Sequence, residues 1–235
     1  METFLSDVRH SFRVLIKSPG FTLVAILALA LGIGANTAIF SVLDRVLLRP
    51  LPFPDSERIM NVHRHFRNGN GQSISITKFM AWREANAFQS MAAYDFGGAS
   101  LNLGTGERPN PATAVHVSSG FFDVFGVKPI LGRTFSAQED LPNAGKFVVL
   151  TFDFWKNRMG GDRDIVGRTI LLNSEQYSVV GVLQQGFQPD PPADVYLPTQ
   201  FDPNSTNQGH YLNVVGRLRP GATVTSAEAE LNVIG

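Results

Sequence analysis

Residues 18–43 read SPGFTLVAILALALGIGANTAIFSVL, a stretch of 26 residues without a charge between Lys17 and Asp44. A hydrocarbon core about 30 Å thick is crossed by roughly 20 apolar residues in helical form, so this run is long enough to span a bilayer. A cleaved signal peptide is the alternative, because Arg9, Arg13 and Lys17 give a basic flank and Ala28-Leu29-Ala30 resembles a cleavage site. A signal core is usually about 7 to 15 residues, whereas this one continues through Ala35, Ile39, Phe40 and Leu43. We therefore expect a retained anchor and read the rest of the chain as a domain held beside a membrane.

The flanks divide the chain. Phe4, Leu5, Val8, Phe12, Leu15 and Ile16 recur at helical spacing, with Asp7, Arg9, Arg13 and Lys17 elsewhere around the wheel. Residues 1–18 thus read as an interfacial amphipathic helix, or else as a short helix packed on other protein, before Pro19-Gly20 turns the chain. The spanning helix with its extension is expected over 19–49, stopped by Pro50-Leu51-Pro52-Phe53-Pro54. Residues 50–235 form the extramembrane domain. Inside the span, Ala28 and Gly32, Ala30 and Gly34, and Gly34 and Ala38 are small residues four apart, and Asn36 is a polar group that would seek a partner in hydrocarbon. Ala28, Gly32, Gly34, Asn36 and Ala38 are the candidate helix-packing face. The competing reading is that small residues are simply common in membrane helices.

The 20 basic and 20 acidic side chains of the 235 residues balance, which gives no field to recruit nucleic acid. No cysteine is present, so disulfides and thiolate metal sites are excluded. No phosphate-cradling Gly-x-x-x-x-Gly-Lys-Ser/Thr loop and no Gly-x-Ser-x-Gly elbow occur, and no cofactor or catalytic residue is assigned. His63 and His65 lie two apart on a predicted strand, but a solvated strand face accounts for them better than a metal site. His116 and His210 stand alone, and Ser118-Ser119 has no histidine at a motif spacing.

The domain reads as α+β. Strands are expected over Ile59 to Phe66, Met91 to Leu103, Ala112 to Val117, Phe147 to Thr151, Asp194 to Leu197 and Leu212 to Arg219. Arg168 to Leu172 and Tyr177 to Leu183 form a hairpin around Asn173-Ser174-Glu175-Gln176. Helices are expected over Thr77 to Phe88 with Thr77 as cap, Ser119 to Phe125, Asp153 to Met159, and from Thr223 toward Ile234. Most of the 18 phenylalanines, including those of Gly120-Phe121-Phe122-Asp123-Val124-Phe125, are expected in the core.

Several segments together carry a resemblance. Lys17 to Thr22, Leu29 to Val42 and Val46 to Pro52 look like the first helix of MacB-type ABC transporter permeases, in particular the duplicated orphan permeases of acidobacteria. The likeness continues through Phe121 to Pro129, Leu131 to Phe135, Gly160-Gly161-Asp162, Ile165-Val166-Gly167, Val179 to Val182 and Val214 to Gly221. It implies a bacterial inner-membrane permease with its amino-terminal tail cytoplasmic and residues 50–235 forming a MacB-like periplasmic core domain of porter-like and strand-rich subdomains. It implies as partners the membrane, the remaining permease helices or a second permease copy, and a separate cytoplasmic ABC ATPase. On this reading residues 1–235 are the amino-terminal portion of such a permease. A self-sufficient single-span periplasmic sensor or scaffold is the alternative.

Overall fold

The structure, a computed structural model, describes residues 16–43, 53–66, 69–71, 73–104 and 110–234. The expected interfacial helix lies almost wholly outside these residues, as does the extension through Arg49. Two units are present, residues 1–51 and 52–235.

The first unit is a single described helix, α1 (Pro19–Leu43). It is apolar all round rather than on one stripe, the pattern of a helix surrounded by hydrocarbon or by protein. None of residues 19–41 is buried. Among the described residues it is the one helix long and apolar enough to cross a membrane. Its hydroxyls turn back on the helix: Thr37 donates to the Ile33 carbonyl and Ser41 to the Thr37 carbonyl, each at 2.7 Å. The proton of each hydroxyl is thereby satisfied without an outside partner, as hydrocarbon demands.

In the second unit, ten strands form one mixed sheet in the order β1-β12-β4-β6-β11-β8-β10-β7, with β5 on β6 and β9 on β10. The first half comprises β1 (Ile59–Val62), β12 (Asn213–Leu218) and β4 (Phe88–Tyr94), all antiparallel. The second comprises β5 (Ala99–Asn102), β6 (Pro111–Val117), β7 (Pro129–Gly132), β8 (Phe147–Leu150), β9 (Thr169–Leu172), β10 (Glu175–Leu183) and β11 (Val195–Pro198). Here β6 and β11 run parallel, as do β8 and β10. A separate two-stranded ribbon, β2 (Arg64–Phe66) with β3 (Gly69–Gly71), follows β1. The halves meet at a thin seam, since β4 and β6 share a single residue pair, Tyr94 with Val117.

Each half has its own core, and a third core straddles the seam. Helices α2 (Ile76–Trp82) and α5 (Val224–Ile234) bring Phe79, Trp82 and Leu231 against Val62, Phe88 and Val214. Helix α4 (Phe152–Arg158) brings Phe154 and Trp155 against Val148, Leu150, Leu172 and Val182. The short α3 (Phe121–Phe125) sets Phe121, Phe122 and Phe125 against Val117, Tyr196, Phe187 and Val215, elements of both halves. Phe121 has five aromatic neighbours at 5.0 to 6.4 Å between centroids, in tilted or edge-on arrangements. Aromatic quadrupoles prefer such packing to face-on stacking.

The α+β expectation holds, with local corrections. Ser75 caps α2 instead of Thr77, its hydroxyl accepting from the Lys78 amide. The Thr77 hydroxyl serves the carbonyls of Ser205 and Asn207. The helix stops at Trp82 because the chain must reach β4 by Phe88, and the intervening amides of Asn86 and Ala87 are taken by the Glu230 carboxylate of α5 at 2.6 and 2.8 Å. The strand expected over 59–66 breaks at His63, so His63 and His65 do not share one strand. The strand expected over 91–103 is two, because Asp95-Phe96-Gly97-Gly98 turns the chain. Strand β7 went unread. The hairpin turn is only Asn173-Ser174, both at positive φ (51° and 64°), which matches the twist of a two-residue connection. At the carboxyl end, the amides of Thr223 and Ser226 each donate to the other's hydroxyl oxygen across the start of α5, as expected of a cap.

Candidate functional site

The five residues read as a helix-packing face all lie on α1, and all are exposed. A Cβ built on Gly32 or Gly34 meets nothing within 4 Å. Among the span's polar side chains, Asn36 differs from Thr37 and Ser41 in having no hydrogen bond within the helix. In hydrocarbon an unsatisfied carboxamide is costly, and a second helix offering a polar group relieves that cost.

A second site is the place where the chain enters the domain. Strand β12 has Arg217 at a position only 5% exposed. Its guanidinium donates from Nε to the Val124 carbonyl (2.7 Å), in the last turn of α3. It also donates from the terminal nitrogens to Pro54 (2.8 Å) and Asp55 (3.3 Å). Among the described residues no carboxylate pairs with it; three carbonyls satisfy it. Arg58 reaches back the other way, its Nε and a terminal nitrogen donating to the Leu218 carbonyl at 2.9 and 2.8 Å. Phe53 seats its ring edge-on against Phe125 (4.9 Å) and Phe187 (5.7 Å). The six residues from Phe53 to Arg58 are thus fixed on the domain by two guanidinium groups and one aromatic ring. Sequence reading quoted Arg217 within Val214 to Gly221 without assigning it a task. The available signal was a charge inside an otherwise apolar strand, where burial demands partners.

His116 Nδ1 lies 2.7 Å from an Asp95 oxygen, and Ser118 Oγ accepts the Ala93 amide. Among the described residues, no group of three or more His, Asp or Glu could hold a metal ion. Two adjoining cavities of about 250 and 630 Å³ flank α5, sharing His63, Arg64, Glu228 and Leu231 as lining. On the far side of the domain, Arg133 grips both oxygens of Glu139 at 2.6 Å, and Ser136 adds its amide and hydroxyl. That guanidinium pulls the Glu139 carboxyl down from 4.5 to about 2.

The comparison with protein families covers both the apolar helix and the mixed-sheet domain. The family model for the MacB-like periplasmic core domain matches residues 22–234, from within α1 to the end of α5. The chain belongs to this family. Solved structures agree on the fold. The periplasmic region of MacB from Actinobacillus actinomycetemcomitans aligns with a TM-score of 0.54 at 21% identity, covering 74% of this chain and 78% of that one. The extracellular domain of the ABC-type transporter YknZ from Gram-positive bacteria gives 0.55 at 17% identity, covering 75% and 92%. A domain of a putative permease protein from Porphyromonas gingivalis gives 0.58 at 19% identity, covering 77% and 82%. No curated protein matches. The MacB-like core domain is a component of ABC transporter permeases, and no nucleotide-cradling loop is present in the sequence.

Proposed function

We propose that this chain is the membrane-anchored portion of an ABC transporter permease, whose core domain couples ATP hydrolysis by a separate cytoplasmic ATPase to export of substrate. The observation that supports this most is the extent of the family match, which starts at Thr22 inside α1 and runs through the domain to Ile234. The apolar helix is then part of the family pattern rather than a leader to be removed. On this reading α1 stays in the bacterial inner membrane with its amino-terminal flank in the cytoplasm and the domain in the periplasm. Ala28, Gly32, Gly34, Asn36 and Ala38 face the remaining permease helices or a second permease copy, where small residues allow close approach and Asn36 finds a polar partner.

The test is to isolate the chain from membranes and ask what accompanies it. We expect resistance to carbonate extraction, labelling of a cysteine placed at the exposed Asn204 from the outer side of the inner membrane, and co-purification of an ABC ATPase after mild solubilisation. A soluble product beginning near Leu31 would overturn the anchor. Membrane retention without any ATPase would instead favour a single-span sensor.

A further inference from the structure

We infer that Arg217 is a positioning residue that couples the membrane helix to the sheet: its guanidinium clamps the incoming Pro54-Asp55 segment to β12 and to the last turn of α3, so displacement of that segment is delivered to the sheet. The inference rests on the permease reading above, and the geometry behind it stands by itself.

The clamp's composition is unusual for a part that only stabilises. The guanidinium of a residue only 5% exposed, satisfied by main-chain carbonyls, has lost hydration without gaining a counter-charge among the described residues. An apolar residue of similar volume often serves stability as well or better at such a position. What methionine or leucine cannot do is tie separate segments together, whereas the planar fork of Arg offers five donors in fixed directions. Here the fork joins two segments far apart in sequence, Pro54-Asp55 and Val124, through a residue on a third.

The segment is held from both sides. Pro54 and Asp55 are themselves exposed, so their carbonyls could be solvated by water if the clamp were absent. Their retention on the domain therefore depends on the bonds from Arg217, on the returning bonds from Arg58 to Leu218, and on the Phe53 ring. Strand β12 lies between β1 and β4, pairing with four residues of the first and six of the second. Val124 belongs to the helix whose phenylalanines fill the core across the seam. A pull on residue 53 thus reaches β12 and the seam core together, with Arg217 the side chain that ties the segment to both.

The experiment uses the full chain in detergent micelles, comparing the parent with Arg217→Met. Hydrogen exchange followed by mass spectrometry reads the Arg58 amide, which donates to the Asp55 carbonyl at 3.0 Å. We expect at least tenfold faster exchange at the Arg58 amide with the amides of β8 and β10 unchanged. Force spectroscopy between cysteine handles replacing Asp44 and Asn204 should show, in the variant only, an early low-force extension of about 20 Å, the length of six residues at roughly 3.5 Å each. Should Arg217→Met fail to fold, Arg217→Lys carries the same expectation, because a lysine keeps the charge and loses the fork. Unchanged exchange at the Arg58 amide, or superimposable pulling traces, would overturn the inference. Neither readout involves an ATPase or transport, so failure of the permease reading would show separately, in the co-purification.

Discussion

Gly32 and Gly34 in the span and Gly132 and Gly181 in the domain occupy opposite environments. Around Gly32 and Gly34 of α1 there is open space, whereas a Cβ on Gly181 would stand 2.1 Å from the Arg133 carbonyl oxygen and one on Gly132 would stand 2.2 Å from that of Val180. Gly132 and Gly181 are partners in the β7–β10 register, at a point where β10 also shifts register against β8. Gly132 and Gly181 are finished contacts: two backbones have closed to a separation that no side chain permits. On the permease reading proposed above, the span glycines are unfinished ones, offering the same closeness to another helix. If that contrast is right, substitutions at the two places should differ in kind, and other core positions provide the scale.

The largest effect should come from Gly181→Ala. The methyl meets main chain rather than a flexible side chain, so β7 must move off β10. We expect a loss of about 3 kcal/mol or more in denaturant unfolding of the full chain in micelles. A loss below 1 kcal/mol would show that the bulge absorbs a side chain and that the close approach is not required. Phe121→Ala should follow closely, at about 3 kcal/mol, the low end for emptying a buried phenylalanine, because the five aromatic neighbours at the seam can partly close on the space. Equal loss of protection in β12 and β10 amides would show that the aromatic core joins both halves. Loss confined to one half would show that it does not.

A smaller effect belongs to Glu139. Its folded carboxyl titrates near 2 against an ordinary 4.5, so its stabilisation is fully present above pH 4.5 and is lost as pH falls toward 2. Because the Arg133 side chain is more than half exposed, solvent screening reduces the contribution to about 1 to 2 kcal/mol. In Glu139→Gln the difference from the parent should be full at pH 6 and should shrink between pH 4.5 and 2. A difference that does not depend on pH would mean that packing, and not the ion pair, is responsible.

These positions also mark how far the sequence could be read. The span, the α+β class, the aromatic helix and the β9–β10 hairpin were legible because each is signalled by neighbours along the chain, by hydropathy length, period or turn chemistry. The sheet order was not. Strand β7, four residues with two exposed, exists because Gly132 and Gly181 let it close on β10, a fact settled some fifty residues away. The Arg217 clamp was hidden for the same reason, since its three acceptors come from Pro54, Asp55 and Val124 and no local pattern ties them to β12. Among the candidate packing residues, the small-residue spacing was legible and the open space around it was not, because space depends on what else is present.

The smallest effect on the domain, and the sharpest test of the comparison, should come from replacing Gly32 and Gly34 together by leucine. Unfolding of residues 52–235 should be unchanged, since neither glycine has a neighbour to lose. Membrane insertion should be kept or improved, leucine being favourable at the centre of a span. Association with another helix should nevertheless weaken, because branched side chains now stand where two backbones would meet. Overpacking of that kind costs about 1 to 3 kcal/mol, enough to lower the signal in a membrane two-hybrid assay several-fold. Asn36→Leu separates the two ingredients of the face: it removes the polar partner while leaving the glycines open. If the double leucine variant associates as well as the parent, the open space around Gly32 and Gly34 is not a docking surface, and the span serves as an anchor alone.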